Sequence, residues 1–356
     1  MRAPRLATAL LCLLAGGALL TACGSDSETV AYEPAESRPA PPESAFPGAE
    51  GRTLREVLKA ADDPSESIVV DPQAEVFYPG VNRYPFGVAD RERGPVSDAE
   101  VALYIAKVPA PKRGSKSKSG NRGQLSKAQS QALDQPARGP FPARIETLAT
   151  KPAFRGRTTT EDPDAAKVVY SVDLDLPGEG EWRVAAILKE GEKTKGMLLP
   201  GAVVVGEFEK IPRPGDEAPL IHTPTADSAG GDLSRISTRV PPDSQNKVDY
   251  AEALGREPIV LLFATPEFCQ SRVCGPVVDV AEQAQAEYGD EAAFIHMEIY
   301  NDNDPAEGVR PQVRKFHLPT EPFLFTIDRD GTVADVIEGA FGLDLMHRAV
   351  DKAIAE

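Results

Sequence analysis

The sequence predicts an N-terminal all-β sandwich followed by a C-terminal α/β domain, and three observations support this. The chain has 356 residues, which is enough for two or three domains. Short strand-like runs separated by turn residues occupy the region from about residue 67 to 208. From residue 258 onward, strand and helix patterns alternate, as in α/β domains.

Composition narrows the classes of function. The net charge is −16, from 39 basic and 55 acidic residues, which argues against nucleic acid as a partner. One tryptophan and 6% aromatic residues argue against an aromatic-lined carbohydrate groove. Only four cysteines are present, so a disulfide-rich scaffold is excluded and each cysteine needs its own explanation.

Residues 1–22 have the pattern of an export signal, with a basic start, an apolar stretch and small residues at the end. The segment Leu20-Thr21-Ala22-Cys23 resembles the bacterial lipobox. The resemblance implies that Cys23 becomes a lipidated N-terminus and that Cys12 is removed with the signal. The protein would then be anchored to the lipid bilayer at the outer face of the bacterial cytoplasmic membrane. An ordinary secretory signal or a short membrane anchor remains an alternative.

Two segments are predicted to lack regular structure. Residues 23–50 are rich in Pro, Glu, Ser and Ala and are expected to form a disordered tether. Residues 110–144 carry eight Lys or Arg residues and a single acid, Asp134, and are expected to form a mobile basic insertion. A basic arm that contacts anionic lipid headgroups is the alternative interpretation of this insertion.

Residues 51–211 are predicted to form the sandwich domain. Its strand-like runs are Ile68–Val70, Glu75–Tyr78, Val101–Ile105, Val168–Tyr170, Trp182–Leu188 and Ala202–Val205. A short helix is possible at Thr53–Ala61. The segment Leu176–Val184 resembles the late hairpin of immunoglobulin-like modules, which implies an immunoglobulin-like sandwich.

The second domain is predicted to span residues 212–356. Its elements are expected, in order, to be a strand at Pro258–Ala264, a helix at Val277–Tyr288, a strand at Ala292–Tyr300, a short helix at Val309–Phe316, strands at Pro322–Asp328 and Thr332–Ile337, and a helix at Gly342–Ala355. This order predicts a mixed sheet with helices on both faces.

That order, with cysteines just after the first strand, resembles the thioredoxin-like superfamily, and in particular its redoxin/TlpA branch. Gly215–Pro219 resembles the opening of redoxin domains, and Phe263-Ala264-Thr265 the end of their first strand. Pro276 stands where thioredoxins carry a helix-kinking proline. Pro322, six residues before Asp328, matches the family's cis-proline. The resemblance implies that Pro322 lies beside the cysteine pair and aligns the substrate backbone.

Cys269 and Cys274 are the candidate redox pair. A cysteine at a helix N-terminus has its thiolate favoured by the free amides and the helix dipole, and Arg272 is expected to add to that field. The family uses Cys-x-x-Cys, whereas the spacing here is Cys-x4-Cys. On a regular helix, residues five apart have Cα atoms about 8–9 Å apart, whereas a disulfide needs about 7 Å or less. Cys269 is therefore expected in the loop before the helix, unless the first turn of the helix is irregular. We predict that Cys269 is the exposed attacking thiol and Cys274 the resolving thiol.

These features predict a membrane-anchored extracytoplasmic thiol–disulfide oxidoreductase with no cofactor and no metal. Its expected partners are cysteine-containing exported proteins or a membrane redox partner.

Three alternatives remain open at this stage. A thiol peroxidase would use Cys274 to attack peroxide. A copper-binding module similar to the Sco proteins would use both cysteines with His317 or His296. A non-catalytic interaction lipoprotein would use the sandwich to bind a partner.

Overall fold

Strands dominate the N-terminal half of the molecule, and strands and helices alternate in the C-terminal half. The computed structural model describes residues 35–64, 67–92, 94–110 and 126–355. The predicted signal peptide, Cys23 and residues 111–125 of the predicted basic insertion lie outside these ranges.

In chain order, the strands are β1 (Asp63–Pro64), β2 (Ile68–Pro72), β3 (Gly80–Asp90), β4 (Gly94–Pro95), β5 (Glu100–Lys107), β6 (Arg138–Pro142), β7 (Arg144–Thr147), β8 (Val168–Leu176), β9 (Gly180–Glu190), β10 (Lys193–Leu198), β11 (Val203–Val205), β12 (Ile259–Phe263), β13 (Ala293–Met297), β14 (Phe323–Ile327) and β15 (Val333–Glu338). The α-helices are α1 (Leu54–Lys59), α2 (Lys127–Ala132), α3 (Arg157–Thr160), α4 (Tyr250–Ala253), α5 (Cys274–Tyr288), α6 (Pro311–Lys315) and α7 (Leu343–Ala355).

Two sheets face each other in the N-terminal half. Sheet I has the strand order β1-β10-β9-β5-β6, with β11 also paired to β9. Sheet II has the order β2-β3-β8-β7, with β4 also paired to β3. Side chains of both sheets share one apolar core, which is the arrangement of a β-sandwich. The immunoglobulin-like resemblance of this sandwich remains a prediction.

Strand β5 shows why the central strands are apolar throughout. Val101, Leu103 and Ile105 face the core between the sheets. The alternate residues, including Ala102 and Tyr104, face outward and pack against helix α1. Because both faces of β5 are covered, its sequence is a continuous apolar run instead of an alternating one. Helix α1 lies within segment 53–61, where the sequence allows a short helix, and it begins with a capping box. The Thr53 side chain accepts from the Glu56 amide, and the Glu56 carboxylate accepts from the Thr53 amide.

The predicted tether is wrong for its described part, residues 35–50. Phe46 and Ala49 are buried against the outer face of sheet I, in the same cluster as helix α1. The Tyr104 hydroxyl donates a hydrogen bond to the Pro47 carbonyl at 2.8 Å. These few apolar residues are sufficient to order the segment, because packing against the apolar outer face of sheet I removes them from water.

The predicted mobile insertion is also wrong for its described part, residues 126–144. This segment forms helix α2, strand β6 and the start of β7. Arg138 pairs with Asp175 at 2.5 Å and Arg144 pairs with Asp173 at 3.1 Å, so strand β8 neutralises both cations. Residues 126–144 are ordered because their strands pair with β5 and β8. Charge composition does not reveal this strand pairing.

Glu75–Tyr78 is not a strand, contrary to the sequence prediction. The amides of Glu75 and Val76 donate to the carboxylate of Glu338, at 2.7 and 3.0 Å, and Phe77 forms a single bridge with Val205. The backbone donors that a neighbouring strand would satisfy are therefore used by the C-terminal half of the chain.

Sheet III forms the centre of the C-terminal half, and every element predicted between residues 258 and 355 is confirmed. Its strand order is β13-β12-β14-β15, with β12 parallel to β13 and the other neighbours antiparallel. Helices α5 and α7 cover one face, and helices α4 and α6 cover the other. No helix within the described ranges is long and apolar enough to cross a membrane.

Sheet II packs directly on the end of sheet III. The guanidinium of Arg83, on β3, donates to the carbonyls of Glu338 and Ala340 and to the carboxylate of Glu146. Gly339 has a φ of 76°, and a Cβ there would collide with the Gln73 carbonyl oxygen. Residues 34–356 belong to one compact unit, and the predicted domain boundary at residue 212 remains a prediction.

We expect Gly339→Ala to destabilise the protein more than Gly255→Ala does. Gly255 has a similar φ of 73° but an open Cβ position, so its substitution carries only the cost of the left-handed backbone, about 1–2 kcal/mol. Gly339→Ala adds a steric clash with sheet II, which costs about 1–3 kcal/mol more. Urea unfolding of both variants measures the difference. Equal losses of unfolding free energy in the two variants would show that the contact between residue 339 and Gln73 adjusts without cost.

Candidate active site

The two candidate cysteines lie on either side of the start of helix α5. Strand β12 ends at Phe263, a loop follows, and α5 begins at Cys274. Cys269 lies in the loop, as its spacing from Cys274 requires. Both cysteines are free thiols and both are buried, Cys269 with 4% exposure and Cys274 with none, so the predicted exposure of Cys269 is wrong.

Hydrogen bonds converge on the Cys269 sulfur. The amide of Cys274 donates to Cys269 Sγ at 3.3 Å, and the Ser271 hydroxyl lies 3.4 Å from the same sulfur. A hydrogen bond from the Cys274 thiol, helped by those from Ser271 and the Cys274 amide, lowers the pKa of Cys269 to about 6, against the opposing effect of burial. Cys269 is therefore largely a thiolate at neutral pH, which is the nucleophilic form.

Cys274 has the opposite character. Burial raises the pKa of the Cys274 thiol well above its ordinary value, and the hydrogen bond to Cys269 and the charge of its thiolate add to the effect. The backbone of Thr265, at the end of β12, also hydrogen-bonds to Cys274. The pair is thus asymmetric, with one thiolate and one protonated thiol in contact.

Pro322 immediately precedes the neighbouring strand β14, at the end of sheet III where β12 finishes. The Glu321–Pro322 peptide bond is cis, as predicted. Phe323 pairs with Phe263, so Pro322 and the cysteine loop emerge side by side where β12 ends. Glu321 stands immediately before this proline. Burial, followed by the charge of Cys269, raises the pKa of the Glu321 carboxyl to about 7.

Arg272 belongs to the cysteine loop but points toward the sandwich. Its φ is 58°, its guanidinium lies 3.3 Å from Asp162 Oδ2, and its carbonyl accepts from the Ala166 amide at 3.1 Å. Its predicted activating role remains a prediction, because the hydrogen bonds that reach the Cys269 sulfur come from Cys274, Ser271 and the backbone of Val273.

A groove runs from the cysteine loop along the sandwich. Gln270, Ser271 and Arg272 form one wall, and β3, β4 and residues 163–168 form the other, enclosing about 500 Å³. Ser271 lines this groove, and its hydroxyl also lies 3.4 Å from the Cys269 sulfur.

A layer of buried polar side chains supports helix α5. Asp279 receives hydrogen bonds from the Arg239 guanidinium at 2.8 Å and from the Gly156 amide at 3.0 Å. The Thr238 hydroxyl donates to Glu298 at 2.7 Å and accepts from the Glu267 amide at 3.2 Å. These contacts connect the loop before Cys269 with segments from both halves of the chain.

His296 is part of this layer. Its Nδ1 lies 2.8 Å from Asp243 Oδ2 and its Nε2 lies 3.1 Å from the Ala264 carbonyl, just beyond β12. Burial alone would lower the pKa of His296, but the charge of Asp243 outweighs it and raises that pKa to about 9. His296 is therefore a buried cation that holds the end of the strand that leads to the cysteine loop.

The surroundings of the histidines and of Cys274 bear on the copper-binding and peroxidase alternatives. Within the described ranges, no group of three or more His, Cys, Asp or Glu side chains is arranged to hold a metal ion. His317 is exposed, and His296 is occupied by Asp243 and Ala264. Cys274, the peroxide-attacking residue of the peroxidase alternative, is fully buried with a raised pKa.

Sequence reasoning located the cysteines and the cis-proline but missed the charged groups around them. Glu321 directly precedes a proline that the resemblance had already singled out, so its position was a usable signal. Arg239, Asp243 and Glu298 gave no local signal, because each acquires its role only from partners distant in sequence.

Comparisons with known proteins give limited information. No protein-family model matches the chain, and no curated protein matches it. One solved structure, a thiol:disulfide interchange protein of the thioredoxin family from Chlorobium tepidum TLS, aligns over 40% of this chain and 97% of its own. The identity is 18% and the TM-score is 0.29, so this likeness carries no argument about function.

We expect Ser271→Ala to raise the pKa of Cys269 by roughly half to one unit, the value of one neutral hydrogen bond. Thiolate ultraviolet absorbance measured against pH reports this value, and Cys269→Ser supplies the baseline. All variants carry Cys12→Ser and Cys23→Ser, so that only the candidate pair titrates. Ser234→Ala, at an exposed position, is the matched control. An unchanged titration curve in Ser271→Ala would contradict the assignment.

Proposed function

We propose that this protein is a thiol–disulfide oxidoreductase in which Cys269 attacks and Cys274 resolves. The observation that carries the proposal is the asymmetric thiol pair at the N-terminus of α5. The Cys269 sulfur accepts the Cys274 amide at 3.3 Å and has a pKa of about 6, while the pKa of Cys274 is raised. A nucleophilic thiolate next to a protonated thiol is the arrangement that disulfide interchange requires.

The reaction proceeds in two exchanges. The Cys269 thiolate attacks one sulfur of a substrate disulfide, which forms a mixed disulfide and releases the other sulfur as a thiolate. The Cys274 thiol then loses its proton and attacks the Cys269 sulfur, which releases the second substrate sulfur. Two electrons pass from the dithiol to the substrate disulfide, and protons from the pair and from solvent complete the two product thiols. The reverse sequence would deliver a disulfide to a substrate dithiol.

Burial assigns the two roles. Cys274 has no exposed surface, so a substrate disulfide reaches Cys269 first. The groove lined by Ser271 would place a bound polypeptide next to the loop that carries Cys269. The same burial disfavours the peroxidase mechanism, because that mechanism requires Cys274 to be the nucleophile.

The location of this activity is a further part of the proposal. The segment Leu20–Cys23 supports a lipid anchor at Cys23 on the outer face of the bacterial cytoplasmic membrane, where exported cysteine-containing proteins or a membrane redox partner would be substrates. Incorporation of labelled fatty acid that persists in Cys23→Ser would exclude this anchor.

We expect the reduced protein, carrying Cys12→Ser and Cys23→Ser, to reduce a disulfide-bonded protein such as insulin. Cys269→Ser should abolish this activity, because it removes the nucleophile. Cys274→Ser should block turnover and accumulate a mixed disulfide through Cys269, since the intermediate is no longer resolved. Precipitation of the insulin B chain measures turnover, and non-reducing electrophoresis detects the mixed disulfide.

Thiol counting supplies the control. Mild oxidation should convert the two free thiols into an intramolecular disulfide that dithiothreitol reverses. If the two thiols stay free under oxidant, or if Cys269→Ser retains insulin reduction, the dithiol mechanism is wrong.

A further inference from the structure

The groove between the cysteine loop and the sandwich is lined in part by residues with little or no side chain. These residues are Gly87, Ala89 and Gly94 of β3 and β4, and Ala165 and Ala166. A Cβ at Gly94 would have no heavy atom within 4 Å beyond its chain neighbours, and one at Gly87 would meet only Gln73. The groove therefore stays open because these positions are small, and its volume of about 500 Å³ is typical of ligand-binding sites.

The alternation of strand β3 decides which of its residues face the groove. Phe86 and Val88 point into the core between the two sheets of the sandwich. Gly87 and Ala89 therefore lie on the outer face of sheet II. Gln73, just after β2, lies over the same face, because a Cβ at Gly87 would be 3.4 Å from its side-chain Nε2.

Gln73 is a buried side-chain amide whose oxygen has no partner. The residue lines the groove and is only 8% exposed, and its Oε1 accepts no hydrogen bond from the described part of the chain. Its backbone amide donates to the Pro85 carbonyl at 3.0 Å and is not available to a ligand. Buried polar atoms in folded proteins are nearly always hydrogen-bonded. An unpaired oxygen in the wall of an open groove therefore points to a donor from a bound molecule.

A side-chain amide in such a groove is suited to an extended polypeptide. The backbone of a bound segment offers an N–H donor to Gln73 Oε1 and a carbonyl acceptor to Nε2. Glycines at positions 87 and 94 allow that backbone to approach closely. Ser271 also lines the groove, and its hydroxyl lies 3.4 Å from the Cys269 sulfur. A segment bound here is therefore next to the loop of the attacking thiol.

The two walls of the groove are fixed to each other. The Ala166 amide, from the sandwich, donates to the Arg272 carbonyl of the cysteine loop at 3.1 Å. The Arg272 guanidinium also lies 3.3 Å from Asp162 Oδ2. Binding therefore requires no ordering of these walls, which would otherwise weaken the affinity.

We propose that this groove binds an extended segment of the substrate polypeptide next to its disulfide, and that Gln73 holds the backbone of that segment. The inference rests on the proposed oxidoreductase function and names its substrate class, which is polypeptides with an accessible extended segment in preference to small-molecule disulfides. Main-chain hydrogen bonds supply affinity without selecting side chains, so the groove accepts many sequences.

The test compares two disulfides without charged side chains, so that charged residues of the groove do not contribute. One is a disulfide-linked pair of peptides with several residues on each side of the cysteine, and the other is cystine blocked at its amino and carboxyl groups. The full chain carrying Cys12→Ser and Cys23→Ser reduces each substrate, and reduction by dithiothreitol corrects for intrinsic reactivity. We expect the corrected kcat/KM of the peptide to exceed that of blocked cystine by roughly tenfold.

Variants assign this preference to the groove. Gln73→Leu removes both hydrogen-bonding atoms and should lower the peptide-to-cystine ratio roughly three- to tenfold, the value of one hydrogen bond, through a higher KM for the peptide. Ala89→Phe places a ring in the groove and should lower the ratio at least as much. Gln131→Leu, at an exposed position of helix α2, is the matched control and should keep the full ratio. A ratio taken within one variant is independent of its folded fraction.

The outcomes distinguish this inference from the proposed function. If both substrates are reduced in a Cys269-dependent manner but with equal corrected kcat/KM, the groove does not select polypeptides and only the oxidoreductase activity stands. If Gln73→Leu or Ala89→Phe retains the full preference, the segment is held elsewhere and the inference is overturned. If neither substrate is reduced, both the inference and the proposed function are overturned.

Discussion

The buried ion pair between Arg239 and Asp279 connects the parts of the molecule that create the candidate site. Both side chains are almost completely buried, and the Arg239 guanidinium also donates to the carbonyls of Phe154 and Pro241. Two buried charges are tolerated only when they are fully paired, so these segments must come together for either charge to be accommodated. Asp279 lies in the first half of helix α5, and the N-terminus of that helix holds Cys274. The ion pair therefore anchors the helix on which the proposed redox chemistry depends.

The sandwich half takes part in the site as well as supporting it. Asp162 and Ala166 hold Arg272 of the cysteine loop, and strands β3 and β4 form the far wall of the groove that reaches Ser271. The loop that carries the attacking thiol is thus held on one side by helix α5 and on the other by the sandwich. A cysteine outside the helix at this position receives the Cys274 amide and thiol as donors, which explains how a Cys-x4-Cys spacing produces one acidic thiol and one buried thiol.

The charge of Cys269 affects the ionisation of the Glu321 carboxyl group. The hydrogen bonds at Cys269 favour a thiolate, while a neighbouring carboxyl group disfavours a second negative charge, and the pKa of that carboxyl rises to about 7. Glu321 and the cysteine loop lie at the same end of sheet III because strands β12 and β14 are paired there, with Phe263 opposite Phe323. Strand pairing, and not proximity in sequence, decides which charge the attacking thiol meets.

Local patterns in the sequence predicted the elements between residues 258 and 355, a short helix at 53–61 and the loop position of Cys269, and the family resemblance implied the cis-proline at 322. Apolar periodicity, capping residues and short motifs act over a few neighbouring residues, so they can be read without knowledge of the fold. Tertiary structure alone decided that residues 35–50 and 126–144 are ordered, that Glu75–Tyr78 is not a strand, and that Arg239 pairs with Asp279 and Asp243 with His296. Gly156 and Asp279, which are 123 positions apart, show the reason: the partners that satisfy buried polar groups come from distant segments, and only the folded chain brings them together.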